Sequence, residues 1–370
     1  MTILRTNTLS GIGTNGPVFS GNLEFNSQNY IVLPKGTTSD RVGVGSTPGA
    51  LRYNTDSNKV ELYDGSQWTE VQASRPDLNG GARGVFGGGF VSPARINNIE
   101  YITISSTGNA QDFGDLTVPR YGCKWCASST RGVAGGGNEA PGAHNTIDYI
   151  TIASTGNATD FGDRTVSGTE LAGAFSSSTR GVFAGGSATN NTIDYVTIAS
   201  TGNAQDFGDL TVARGHSNGC SSPTRGLFFG GEVPAPTNFT NVIDYVTIST
   251  IGNATDFGDI SSARRGVAAC SNATRGLAAG GDGPANVNNI EYVTMTTLGN
   301  ATDFGDLTAA RGQSFAGMSN PTRGVFGDSV PSGNTMDYVT IATQGNAVDF
   351  GDALVASGNR GGTSNAHGGL

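Results

Sequence analysis

Charge is what this sequence has least of. Charged residues make up 14% of the 370-residue chain, well below the roughly 25% of an average globular protein. Its 21 Lys and Arg are outnumbered by 30 Asp and Glu, giving a net charge of −9. Without a strong basic patch, sequence-independent nucleic-acid binding is not expected. No apolar run is long enough to span a membrane, so membrane insertion is not expected. The segment from Met1 to Gly11 lacks the apolar stretch of a signal peptide. The expectation is a product made in the cytoplasm. No amphipathic helix stands out either.

Histidine and cysteine are also scarce. His144, His216 and His367 fall in non-equivalent places. Cys126, Cys220 and Cys270 each lie five residues before the Arg of an Arg-Gly pair, where Phe175 and Met318 stand elsewhere. A position shared by Cys, Phe and Met reads as core. Cys123 and Cys126 have C-x-x-C spacing, but on a strand their thiols point to opposite faces. Metal binding and redox chemistry are therefore not expected, and no cofactor is implied.

Glycine is what the chain has in excess, 58 of 370 residues, about twice the usual share. Thr, Val, Ile and Ser fill the segments between, which favours strands joined by tight turns. One motif recurs through most of the chain. Its tyrosines are Tyr101, Tyr149, Tyr195, Tyr245, Tyr292 and Tyr338, spaced 46 to 50 residues apart. Twelve residues after each stands the Phe of an Asp-Phe-Gly-Asp block: Phe113, Phe161, Phe207, Phe257, Phe304 and Phe350. An Arg-Gly pair precedes each tyrosine, from Arg83-Gly84 to Arg323-Gly324. Such a period points to one supersecondary unit per repeat, as in a propeller or solenoid.

Each repeat reads as four strands. The exception is the first repeat, which starts at its second strand near Asn79. The last residues, from about Gly361, match a first-strand segment. The chain ends are therefore expected to share one blade, which removes the open edges. The order of Arg-Gly, apolar strand, Gly doublet, Tyr and late aromatic resembles a kelch blade over residues 79–370, with Phe where kelch blades carry a late Trp. The resemblance implies an all-β fold: a six-bladed propeller closed by a C-terminal strand.

Upstream, residues 48–72 contain P-G-A-L-R-Y-N-T-D-S-N-K-V-E-L-Y-D-G-S-Q-W. Alternating apolar residues and the Asp64-Gly65 turn predict a three-stranded meander. The string is similar to a module of bacteriophage tail-fibre and other virion proteins. That likeness implies a virion appendage, commonly a homotrimer. Residues 1–47 would then attach to other virion proteins and oligomerise, and 73–78 would be a linker.

A group repeated at one register is more often architectural than catalytic. The Asp-Phe-Gly-Asp blocks are expected to pack Phe between blades, bulge at Gly, and use Asp to cap turns or pair with Arg. A ring of cation sites is the alternative. Arg83, Arg131, Arg180, Arg225, Arg275 and Arg323 are expected to pair with those Asp residues. The alternative is a cationic ring that holds an anion. The chain lacks the copper ligands of galactose-oxidase-like kelch enzymes, the Asp-box turns of sialidases, and a phosphate loop. It reads as a non-enzyme.

Variation sits in the second-to-third strand connections, 90–97, 138–145, 187–191, 232–241, 282–289 and 328–334, while the third-to-fourth Thr-Gly-Asn-Ala turn barely changes. Diverse loops on a rigid scaffold are where recognition usually sits. Phe90, Arg95, His144, Asn238 and Phe239 are the candidate contacts to a host surface glycan or protein. A virion fibre head that binds a receptor is the reading. A structural decoration protein and a glycan depolymerase using paired carboxylates are the alternatives.

Overall fold

The computed structural model describes residues 33–41, 48–71, 82–139, 142–187, 189–312, 316–327 and 333–370. Most of the expected attachment segment, the 73–78 linker and parts of the 138–145 and 328–334 loops lie outside them. Apart from one 3-10 turn at Thr38–Arg41, the described residues form strands and their connections. The chain divides into two compact units, Met1–Arg75 and Pro76–Leu370.

In the first unit, Leu51–Asn54, Lys59–Tyr63 and Trp68–Glu70 form the expected meander. Lys35–Gly36 adds a fourth, parallel strand beside Leu51–Asn54. The sheet carries its polar residues inward. Buried Glu61 is ion-paired with Arg41 and accepts from Asn54 Nδ2 at 2.8 Å. The cross-strand pair Leu51 and Leu62 is left 46% and 37% exposed on the other face.

Among the described residues, the second unit holds six antiparallel sheets built on one recurring four-strand order; sheet two carries a fifth short strand, Asn138–Glu139, and Phe90–Val91 with Ala94–Arg95 forms a separate two-stranded sheet. Sheet three is typical: Gly173–Ser176, Arg180–Ala184, Thr192–Thr197 and Gln205–Asp209, each paired with the next. In sheet one the first strand comes from the far end of the chain. Gly361–Ser364 pairs antiparallel with Arg83–Gly87, Thr363 opposite Val85. The other first strands are Lys124–Ala127, Asn218–Ser221, Ala268–Ser271 and Gly317–Ser319.

The first and second strands are buried on both faces, while the third and fourth are only partly buried. Six hydrophobic clusters each join one sheet to the next. One packs Phe113, Val85 and Ile99 of sheet one on Trp125 and Ile150 of sheet two. Another packs Met318 and Phe350 of sheet six on Phe86 and Ile102 of sheet one. First strands touch in the cyclic order of sheets one to six and back to one. The repeated Phe is thus inter-sheet core. The Gly after it sits where the register shifts, with φ of +143° at Gly114, and a Cβ there would meet the Gly156 carbonyl at 2.5 Å. Only Gly fits.

That close approach accounts for the constant Gly-Asn-Ala part of the turn. The turn docks along the outer edge of the preceding sheet. Gly156 N donates to Phe113 O, Ala158 N to Asp115 O, and Asn157 Oδ1 accepts from Asp115 N. The same joint runs from Gly108 and Asn109 to Phe350 and Asp352. Outer strand edges are thereby covered, which blunts edge-to-edge association.

The arginine expectation is corrected. Arg180 stacks on the Tyr195 ring, 4.4 Å from its centroid, and donates to Ile248 O in the next sheet at 2.7 Å. Arg83, Arg131, Arg225, Arg275 and Arg323 repeat this, the last reaching Ile104 of sheet one. They neither pair with the Asp-Phe-Gly-Asp carboxylates nor form an open anion ring. A guanidinium held between a π face and a carbonyl is already satisfied. The buried ion pairs use a different set. The acid just before each tyrosine meets an Arg from a fourth strand or from the connection that follows it: Arg120–Asp148 at 3.0 Å, Arg164–Asp194 at 2.9 Å, Arg214–Asp244 at 3.1 Å, Arg264–Glu291 at 2.5 Å, Arg311–Asp337 at 2.9 Å and Arg360–Glu100 at 2.8 Å.

Candidate functional site

The variable loops and the fourth-to-first connections meet at one end of the sheets. The residue after the Gly doublet bridges by backbone to the connection entering a first strand. Phe90 pairs with Gly358, Asn138 with Tyr121, Glu232 with Gly215, and Asp282 with Arg265. One backbone joint therefore presents Phe, Asn, Glu or Asp on one side and Gly, Tyr or Arg on the other. Here the scaffold is constant and the chemistry is not.

Three of the five candidate residues gather around sheets one and two. Phe90–Val91 and Ala94–Arg95 form a short hairpin. The half-buried Phe90 ring meets Tyr121 edge-on with centroids 5.4 Å apart. Arg95 lies over the Tyr121 ring at 5.5 Å and donates to Asn138 Oδ1 at 2.6 Å. His144 lies on the 142–151 strand, its Nδ1 3.1 Å from Glu139 Oε2 and 3.2 Å from Thr146 Oγ1. Burial, then the charge of Glu170, raises the Tyr121 pKa above its ordinary value, so it stays a neutral phenol.

The other two lie on sheet four. Asn238 is exposed at the loop tip with φ +64°. Phe239 is half-buried, with Arg265 over its ring at 5.7 Å. Arg265 also holds Glu232 and, at 3.2 Å, Asp282. His216, 6% exposed, lies 3.0 Å from Glu170 and 3.6 Å from Glu232 through Nδ1, and 3.1 Å from Asn359 through Nε2. Burial acts to lower its pKa, but its hydrogen bonding to the two carboxylates, which accept, outweighs that and raises it. His216 in turn depresses Glu232, to about 2.

Sequence reasoning missed Tyr121, Glu170, His216, Arg265 and Asn359 as one group. Their signal was weak: the fourth-to-first connections share a Thr or Ser and, in most repeats, an Arg, and residues such as Tyr121, Glu170 and Arg265 change only beyond that shared run. Lys124 was missed for another reason. It occupies the place of Gly173, Asn218, Ala268 and Gly361 in other first strands. It is fully buried with no hydrogen bond to Nζ, and burial lowers its pKa to about 8.

Between the first strands lies a cavity of about 30 Å³ lined by Ser176, Ser221, Ser271, Ser319, Ser364 and His367, room for little more than a water. The serines form a staircase. Ser221 Oγ donates to Ser176 O, Ser271 to Ser221, Ser319 to Ser271, and Ser364 to Ser319, at 2.5 to 2.8 Å. His367 Nε2 lies 3.1 Å from Ser176 Oγ, the distance of a nucleophile–base pair. Yet His367 Nδ1 accepts from Gly369 N at 3.1 Å, which puts the proton on Nε2 facing Ala127 O at 2.9 Å. That tautomer cannot take a proton from Ser176.

The thiols are buried on inter-sheet surfaces, Cys123 against sheet one and Cys126 against sheet three. Burial raises their pKa values, Cys220 to about 12, so they pack as small apolar groups. Among the described residues, no group of three or more His, Cys, Asp or Glu converges as a metal site, and no helix is long and apolar enough to cross a membrane. No protein-family model matches the chain, and no curated protein matches it.

Proposed function

We propose that residues 79–370 form a six-bladed, kelch-like propeller closed by the C-terminal strand. This propeller is the head of a phage virion fibre. It binds a host surface glycan or protein through the end that carries the variable loops, without catalysis. The cyclic order of first-strand contacts and the pairing of Gly361–Ser364 with Arg83–Gly87 support the propeller. The carrying observation for recognition is the joint where Phe90, Asn138, Glu232 and Asp282 exchange at one backbone position. Half-buried aromatics with Arg stacked on them, Tyr121 under Arg95 and Phe239 under Arg265, are frequent anchors of binding surfaces. The 33–71 sheet, with Leu51 and Leu62 exposed as a cross-strand pair, suits a homotrimeric stalk that docks on other virion proteins.

The test replaces loop 232–241 with the short loop 187–191 in the assembled particle. Folding is expected to survive and host adsorption to fall. Adsorption that persists after exchanging loops 90–97, 138–145 and 232–241 together would remove the receptor from this end and favour a decoration protein. New reducing ends on incubation with host polysaccharide would favour a depolymerase.

A further inference from the structure

The hairpin joining third and fourth strands carries a hollow of its own, away from the variable loops. In sheets one, three and four it has volumes of about 130, 180 and 260 Å³. The same register positions line it each time. In sheet four these include Tyr245, Thr247, Thr250, Asn253 and Thr255. No charged side chain lines any of the three.

Most of this register has a structural task. The tyrosine carries the stacked Arg, the amide of Gly252 donates to Phe207 O of the preceding sheet, and the Asn oxygen caps that sheet. Two positions have none. Thr247 and Thr250 are exposed, as Thr103 and Ser106 are partly or fully exposed in sheet one. Their hydroxyls make no hydrogen bond among the described residues. Yet Thr103, Thr151, Thr197, Thr247, Thr294 and Thr340 recur at the first place, and Ser or Thr always recurs at the second. Tyr195 spends its hydroxyl on Gln205 at 2.6 Å. Sheet four has the shorter Thr255 there, and its hollow is the largest of the three.

We propose that these hollows bind neutral saccharide units, one per sheet. The apolar C–H face of a pyranose would lie against the part of the half-exposed tyrosine that the stacked Arg leaves uncovered. The ring hydroxyls would exchange hydrogen bonds with the paired Thr/Ser hydroxyls and the Asn amide nitrogen. A hydroxyl and amide lining with no charged side chain fits a neutral sugar and gives a phosphate or a uronate no cation to pair with. Each site is shallow and weak alone. Repetition around the unit makes a polymer of one sugar bind by avidity. This is a second surface, separate from the variable-loop end.

The test passes the full chain over beads of neutral polysaccharides, dextran, mannan and galactan, and competes with the matching methyl glycosides. Retention on at least one is expected, with release by its own monosaccharide. A Thr103→Glu, Thr197→Glu, Thr247→Glu variant fills three hollows with charge and should lose at least about tenfold in retention. If the triple variant melts early, Thr247→Glu and Thr250→Glu singly give the same reading. A chain with loop 232–241 exchanged should still be retained. No retention on any neutral polymer overturns the proposal. So does retention that survives the Glu variants but is lost on loop exchange, which would put the sugar at the variable-loop end instead.

Discussion

His367 Nε2 donates to the carbonyl oxygen of Ala127, 2.9 Å away and 240 residues earlier in the chain. Ala127 is the one first-strand terminus without the serine that others use: Ser176, Ser221, Ser271, Ser319 and Ser364. The imidazole stands in the gap. Gly368 N donates to Ser271 O, and a Cβ on Gly369 would sit 1.9 Å from Ser176 O. The C-terminal turn is therefore seated among the serine carbonyls.

His367 should make the fold acid-sensitive. Burial lowers its pKa from 6.5 to about 4. Above pH 6.5 it is neutral in both states and has no effect. Between 6.5 and 4 the unfolded chain takes a proton that the folded chain refuses, so stability falls as pH falls. Below about 4 the loss levels off near about 3 kcal/mol. His216 acts in the opposite sense, since its pKa is raised, so the comparison must be with His367→Gln. That variant should lose less stability between pH 6.5 and 4 in urea melts. Equal slopes would show that His367 does not titrate with folding.

Deleting residues 358–370 should unmake the second unit. It removes the strand paired with Arg83–Gly87 and leaves Glu100, fully buried, without Arg360. An open edge and an unpaired buried carboxylate follow. Aggregation or loss of the cooperative melt is expected. A truncated chain that stays monomeric and melts normally would refute the closure.

Phe207 is fully buried between sheets three and four. Phe207→Ala should cost roughly 3–5 kcal/mol. Tyr195, edge-on to it at 6.0 Å and half-exposed, should cost less. Differential scanning calorimetry of both variants gives the order. A Tyr195→Ala chain that melts normally but loses a ligand would make that ring functional.

The strand-rich repeats and the pairing of the C-terminal strand with Arg83–Gly87 were legible because they depend on local pattern: Gly doublets, Arg-Gly pairs and an unmatched end at Gly361. The roles of arginines were not. Arg180 and Arg214 look alike in sequence, yet one stacks on Tyr195 and the other pairs with Asp244. Which acid an arginine meets depends on register across two sheets, and the repeated Asp-Phe-Gly-Asp carboxylates drew attention from the acid beside the tyrosine. The candidate site was half legible. Phe90 and Arg95 announce themselves in a variable loop. Tyr121 comes from a connection about 30 residues away and meets Phe90 and Arg95 only in the fold, and His216 meets Glu232 only where Gly215 bridges to it.

The buried pairs themselves should respond unequally to loss of either partner. Arg214 and Asp244 are both fully buried, 3.1 Å apart. Asp244 also accepts from Thr211 N at 3.1 Å and Thr211 Oγ1 at 2.6 Å. Arg214 has little else: among the described residues its Nε and Nη1 find no hydrogen bond, and Nη2 reaches Phe228 O only at 3.5 Å. Removing the arginine leaves a carboxylate that keeps two donors. Removing the carboxylate leaves a buried cation with almost none, and a Thr211 amide without its acceptor. Asp244→Ala should therefore fall at about 3–5 kcal/mol, and Arg214→Met clearly below it, since its alkyl part still packs. Chemical denaturation of both single variants and the double variant measures the coupling. If Arg214→Met is the costlier change, the pair stabilises the sheet through the guanidinium's packing rather than through Asp244's hold on Thr211.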